Sequence, residues 1–242
     1  MDARAVSRRV AANLAAVQDN IARAAAGRDI TLVCVTKYAT NEWVQALLDA
    51  GATDLAENLL PRAAERFDQL WATGRRFTRH LIGAPQSRKI KLIPGHFDWV
   101  QAVDRLKTAL KLNEYLAERE ERLRVLLEIN IAREEQKAGV LPEETAEVFS
   151  QIREQCPQLE LRGLMGIPPW PDAYPGMPEF ERSTREYFRQ IRQLFAKMRE
   201  LFPDAPDVDT LSLGMSQDYV WAIEEGATMV RVGSALFEGL EG

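Results

Sequence analysis

The chain has 242 residues, of which 46% are hydrophobic and 28% charged, enough apolar material for a packed core and too much of it for a disordered or low-complexity chain. A net charge of −5, from 31 Lys and Arg against 36 Asp and Glu, is the reverse of the basic excess that a phosphate-backbone binder needs, so nucleic acid is not an expected partner and small molecules are. Two cysteines, Cys34 and Cys156, make no disulfide framework, no apolar run approaches the roughly 18 residues of a membrane span, and arginines with Asn13 interrupt any signal-peptide core, so a reducing, cytoplasmic location is expected.

Val6, Val10, Leu14, Val17 and Ile21 recur at steps of three and four, one apolar stripe on a leading amphipathic helix. Residues 30–36 are short, β-branched and apolar on both parities, the pattern of a parallel strand buried on both faces, and Lys37 stands at their carboxyl end. A helix over 42–50, stopped by Gly51, leads to a second strand over 53–58. The alternation continues with a helix over 63–71, a strand over 79–82, a helix near Ile90, a strand over 99–103, a helix over 106–118, a strand over 123–131, a helix over 143–155 after Pro142, and a strand over 159–167. Residues 168–178 are rich in proline and read as an irregular loop, a lid carrying Trp170 and Tyr174 or a plain surface loop. The long helix beyond it keeps Tyr187, Phe188, Ile191, Leu194, Phe195, Met198, Leu201 and Phe202 at helical spacing, a core stripe. Strands over 210–213 and 228–232, with a short helix over 219–225 between them, complete eight units. One domain over 1–242 is expected, a single α/β chain folded as a (β/α)8 TIM barrel with an extra N-terminal helix; an open doubly wound sheet is the alternative.

In such a barrel the chemistry lies at the carboxyl ends of the strands. The polar residues there are Lys37, Asn58, His80, Asn130, Ser216, Arg231, Gly233 and Ser234. Lys37 shares its parity with Val33 and Val35, so if those point inward its amine does too; a lysine withdrawn from water forms Schiff bases with carbonyl compounds, while the plain reading is a solvated lysine at a strand end. Gly214 to Ser216 and Gly233-Ser234 are Gly/Ser turns after the last two strands, where barrels build phosphate sites from backbone N–H groups; the serines otherwise cap helices. Arg231 lies within an apolar strand, so it is either a ligand contact or half of a structural ion pair. Two histidines without metal-ligand spacing argue against a metal site, and Gly-x-Ser-x-Gly does not occur.

Taken together, Val35-Thr36-Lys37, Ala56-Glu57-Asn58, His80-Leu81-Ile82-Gly83 with Gln86-Ser87, Phe97-Asp98-Trp99, Gly163-Leu164-Met165, Leu211 to Ser216 and Met229 to Ser234 resemble the pyridoxal phosphate homeostasis proteins, the YggS/PROSC family, from about residue 4 to residue 238. The resemblance implies a barrel like the N-terminal domain of alanine racemase, with pyridoxal 5′-phosphate held as a Schiff base on Lys37. It also implies phosphate contacts from Ser216, Gly233 and Ser234, Arg231 facing the pyridine nitrogen, and Asn58, His80, Asn130 and Met165 lining the pocket. Departures from the family pattern fall at Ala56, at Leu59-Leu60-Pro61, at Arg88 and at Tyr219. The implied role is a cofactor carrier acting in vitamin B6 and amino-acid homeostasis, with amino acids as further small-molecule partners. A pyridoxal-phosphate-dependent amino-acid racemase is the alternative; it needs an acid/base group on each face of the substrate, which alanine racemases take from an extra β domain. Without that domain a monomer is expected. A cofactor-free Schiff-base aldolase acting through Lys37 is the third reading.

Overall fold

The computed structural model describes residues 2–134, 137–169, 173–174 and 176–240. Helix α1 (Ala3–Ala25) comes first, capped by the Asp2 carboxylate, which accepts from the Ala5 N–H. It buries Val6, Val10, Leu14, Val17, Ile21 and Ala25, the stripe read from the sequence with one further turn. Then β1 (Thr31–Val35), α2 (Asn41–Asp49), β2 (Asp54–Glu57), α3 (Arg62–Ala72), β3 (Thr78–Leu81), β4 (Trp99–Val103), α4 (Leu106–Ala117), β5 (Leu123–Ile129), α5 (Thr145–Gln155), β6 (Leu159–Gly166), α6 (Met177–Leu201), β7 (Thr210–Ser212), α7 (Tyr219–Glu224) and β8 (Met229–Val232) follow in order. The eight strands pair in parallel, each with its neighbours in sequence, and β1 pairs with β8, so the sheet closes on itself. This is the (β/α)8 barrel with its leading helix; the open sheet is excluded by the register of Thr31 to Cys34 against Met229 to Val232.

The expected helix near Ile90 is shorter than read. Between β3 and β4 there is only a 3₁₀ turn (Ile90–Leu92), and after β8 another (Ser234–Phe237). Gly95 and Pro94 leave too little uninterrupted chain before Phe97 for a second turn of α-helix. Of the proline-rich loop, Trp170, Pro171, Asp172 and Pro175 lie outside the described residues, so the lid reading built on Trp170 is not addressed; Tyr174 lies against the Phe180 ring at the start of α6.

Inside the barrel a compact cluster of Val33, Val35, Ala56, Trp99, Ala102, Leu126, Met165 and Met229 fills the axis, separate from the larger core between strands and helices. Strand parity explains membership except at β4 and β6, where the register shifts; at β6 Leu161 faces the outer core and Met165, of the same parity, the axis. At β4 the register against β5 shifts between Val100 and Val103, so that both Ala102 and Gln101 are drawn from a strand whose Val100 and Val103 face the helices. Cys34 and Cys156 are free and buried, and burial pushes the Cys34 thiol up to about 12, the mark of an inert core cysteine.

Candidate active site at the barrel mouth

Lys37 follows β1 by two residues, half-buried, its ammonium 5.0 Å from the centroid of the Tyr38 ring. Val33 and Val35 line the interior, and Lys37 lies in the turn that follows β1 at the strand's carboxyl end. The turn that carries it is fixed from outside. Arg66 of α3 donates from Nη1 to the Thr36 carbonyl and from Nη2 to the Ala39 carbonyl, both at 2.8 Å, bracketing Lys37 and Tyr38. The same guanidinium meets Glu57 Oε1 at 2.8 Å, and the Thr36 hydroxyl donates to that oxygen at 2.8 Å. All three side chains are buried, so the charges answer each other without water.

Across the β1–β8 seam, Arg231 stands opposite Val33 in register. It is 3% exposed, yet among the described residues it makes no ion pair within 4 Å: Nη1 donates to Ser212 Oγ at 2.6 Å and Nη2 to the Gly166 carbonyl at 3.0 Å. Of the two readings left open by the sequence, the ion pair is not found at contact distance among the described residues. Burial draws the guanidinium down to about 10 while the Asp218 and Glu128 carboxyls at longer range oppose that, so it is charged at neutral pH. One turn further along, Ser216 Oγ accepts from the Gly233 N–H at 3.1 Å and from the Ala235 N–H at 3.4 Å. These two backbone donors and a serine hydroxyl converge beside β1, whose Val35 lies 3.3 Å from where a Gly233 Cβ would stand. Ser234 is exposed and caps nothing.

The remaining expected residues divide. Asn58 is half-buried at the end of β2, its backbone so close to Gly83 that a Cβ there would lie 2.2 Å from the Asn58 carbonyl oxygen. Met165 is fully buried within the axial cluster. His80 lies lower, in the barrel interior, stacked on Trp99 with centroids 5.7 Å apart; its Nε2 is 3.0 Å from Asp54 Oδ1 and its Nδ1 2.9 Å from Gln101 Nε2. The Asn130 amide is engaged by its own loop, donating to the Glu134 carbonyl at 2.9 Å and accepting from the Glu134 N–H at 3.2 Å. Lys37, Asn58, Ser216, Arg231 and Gly233 thus share the mouth, whereas the ring of His80 and the amide of Asn130 are committed to partners within the protein.

Several residues escaped the sequence reading. Ser212 and Gln101 hold Arg231, Arg66 holds the lysine turn, and Glu128 and Asp218 supply the nearest acidic field. Burial pushes the Glu128 carboxyl up to about 7, with Asp104 adding to the shift and Arg231 opposing it, and Glu128 Oε2 has no hydrogen-bond partner. Burial likewise raises Asp218 to about 6, against the Met215 N–H and Arg231. The available signal was one polar residue within an otherwise apolar strand: Gln101 in Trp-Val-Gln-Ala-Val, Ser212 in Leu-Ser-Leu, Glu128 in Leu-Leu-Glu-Ile. Among the described residues no group of three or more potential ligands forms a metal site, and no helix is long and apolar enough to cross a membrane.

A closed parallel barrel whose lysine, arginine and Gly/Ser turn meet at one end has the architecture described by the alanine racemase N-terminal domain, whose family model matches residues 12–240. Pyridoxal phosphate homeostasis proteins of Escherichia coli K12 and Pasteurella multocida Pm70 are each 38% identical, over 94% and 93% of this chain and 95% of their own. The chain belongs to this family of pyridoxal phosphate homeostasis proteins. Among solved structures, PipY of Synechococcus elongatus PCC7942 with pyridoxal phosphate bound superposes with a TM-score of 0.79 at 28% identity, covering 94% of this chain and 99% of that one. Alanine racemase of Clostridium difficile 630, at 18% identity and a TM-score of 0.66, shares the fold over 57% of its length.

Proposed function

We propose that this protein binds pyridoxal 5′-phosphate reversibly at the barrel mouth and serves cytoplasmic vitamin B6 and amino-acid homeostasis, the barrel acting as one domain and as a monomer. The observation that carries this reading is Arg231, a buried guanidinium held by a hydroxyl and a carbonyl, next to the strand that leads to Lys37. A buried cation with no contact carboxylate among the described residues is suited to a ligand that brings its own electron-rich atom, such as a pyridine nitrogen. The donor set fits the rest of the cofactor: the Gly233 and Ala235 N–H groups and the Ser216 hydroxyl suit a phosphate, and Lys37 Nζ suits an aldehyde. Lys37 would hold the cofactor through its aldehyde, by a Schiff-base linkage that water can hydrolyse, which would make the hold reversible. Bound this way, the cofactor offers an electron sink for amine chemistry. Arg231 tempers that sink, because a cation facing the ring nitrogen opposes its protonation. Asn58 and Met165 line the pocket, and His80 and Asn130 support it from behind.

The relatives' names and the ligand in PipY support cofactor binding; the Arg231 electrostatics favour a carrier over a racemase. The test is a visible spectrum of the purified protein with added pyridoxal phosphate, before and after borohydride, with the reduced adduct located by peptide mass spectrometry. An adduct on Lys37, with α-proton exchange of alanine in deuterium oxide no faster than for free cofactor, is the expected result. A protein that takes up no cofactor overturns the reading; enzyme-like exchange replaces the carrier by the racemase.

A further inference from the structure

A row of polar side chains crosses the barrel interior between Asp54, the first residue of β2, and Arg231 near the mouth. Asp54 Oδ1 lies 3.0 Å from His80 Nε2, and His80 Nδ1 lies 2.9 Å from Gln101 Nε2. Gln101 Oε1 accepts from the Ser212 hydroxyl at 2.8 Å, and Ser212 Oγ accepts from Arg231 Nη1 at 2.6 Å. His80, Gln101 and Ser212 are each fully buried.

The chemistry of these groups dictates the direction of every bond. A guanidinium only donates, so Ser212 Oγ must accept from it and has its single proton left for Gln101 Oε1. The amide nitrogen of Gln101 then faces His80 and donates, so Nδ1 accepts and the proton of the neutral ring sits on Nε2, from which it is given to the Asp54 carboxylate. All four bonds donate one way, from a cation at one end to an anion at the other. Aligned bonds in a low-dielectric interior reinforce one another, so the chain behaves as an ion pair extended through three neutral side chains.

Asp54 is the better placed to be that anion because its carboxyl stays ionised. Burial acts to raise it, but the hydrogen bond from His80, with those from the Thr53 and Thr78 hydroxyls, outweighs burial and holds it below the usual carboxylate range. The charged and titratable groups acting around the chain are few: the buried Cys34 thiol of β1 beside Asp54, and Glu128 of β5 and Asp218 ahead of α7 at the Arg231 end.

We propose that Gln101 is a positioning residue for Arg231 and that, through it, the Asp54 carboxylate at the opposite end of the barrel sets the positive field at the cofactor's ring nitrogen. This rests on the reading of Arg231 as the ring-nitrogen contact. Gln101 takes the Ser212 proton and so presents that oxygen's lone pairs to the guanidinium; Asp54 keeps His80, and hence Gln101, in the orientation that allows it.

The test uses near-isosteric variants with opposite electrostatic consequences. Gln101→Met cuts the chain and leaves Arg231 without its distant counter-charge. Gln101→Glu retains the acceptor for Ser212 and brings a carboxylate to the middle of the chain. Each is titrated from pH 5 to 10 with pyridoxal phosphate present, following the long-wavelength absorbance of the bound cofactor. The expected midpoint moves down by about 1 pH unit in Gln101→Met and up by a similar amount in Gln101→Glu, with Asp54→Asn moving down. A role in packing alone would move both Gln101 variants the same way or neither, and that result overturns the proposal. Asp54→Asn, at the edge of the barrel, keeps the test open if the central variants fail to fold. The second readout needs no cofactor: nitrogen-15 NMR of His80 in the wild-type protein should show the Nε2–H tautomer. An Nδ1–H tautomer overturns the chain whether or not the cofactor binds. Failure of the wild-type protein to take up pyridoxal phosphate overturns the functional reading instead, and the tautomer still decides the direction of the bonds.

Discussion

Lys37 sits beyond the end of β1 on a turn held by Arg66, so its amine is removable without disturbing a packed side chain. Lys37→Ala should therefore abolish covalent cofactor retention, read as loss of the borohydride adduct, while shifting Tm by no more than about 2 °C, the scale of an exposed-charge substitution. Glu128 provides the contrast. Its carboxyl is raised from 4.5 to about 7 in the fold, so between those values the folded state binds more protons than the unfolded chain and stability falls as pH rises. Glu128→Gln should then stabilise the protein at pH 8 by on the order of 2 kcal/mol and do almost nothing at pH 4, measured as urea midpoints at the two pH values. Lys37 and Arg231 were legible in the sequence because a charge inside an apolar strand is conspicuous. His80 and Asn130 were placed in the pocket by resemblance, and their hydrogen-bond commitments depend on Gln101, Asp54 and the backbone around Glu134, none of which parity or spacing brings to them.

Each strand end is aimed by the element packed behind it. Helix α3 shows this most directly: Arg66 ties the β1 turn to Glu57 at the end of β2, so two mouth loops share one buried guanidinium. Arg66→Met should destabilise by about 3–5 kcal/mol because it strands the Glu57 carboxylate, and adding Glu57→Leu should restore part of that loss in chemical denaturation. Between β2 and β3 the constraint is steric. Gly83→Ala would place a methyl group 2.2 Å from the Asn58 carbonyl oxygen, forcing those loops apart, and a fall in Tm together with weaker cofactor uptake is the expected outcome in thermal melts and absorbance titrations. The eight strands were readable from β-branched apolar runs bounded by Gly, Pro and polar turns, because strands buried on both faces leave that mark whatever surrounds them. The two 3₁₀ turns were not, since a few apolar residues near Ile90 or Leu236 satisfy a helical template without the length to complete it.

At the scale of the whole molecule, closure rests on β1 and β8, the first and last strands, with α1 reinforcing the join: Asn13 donates to the carbonyls of Leu236 and Glu238 at 3.2 and 3.0 Å, and Asn20 to the Tyr219 hydroxyl at 2.9 Å. The Tyr219 departure from the family pattern thus has a role, anchoring α7 to α1. Truncation before Met229 should expose an unpaired edge on β1 and on β7 and replace the single cooperative unfolding transition, followed by circular dichroism in urea, with a broad one. The seam has a consequence for how the protein comes into being. The strands that carry Lys37 and Arg231 pair side by side, yet the two residues are separated by almost the entire chain, so a ribosome adding ~5–20 residues per second makes them about 10–40 s apart. During that interval the lysine turn exists with no β8 to pair with β1. On the proposed reading, a nascent chain therefore has no means of holding the cofactor at both its aldehyde and its phosphate, and competence to do so arrives with the final strand, as the ring of strands shuts.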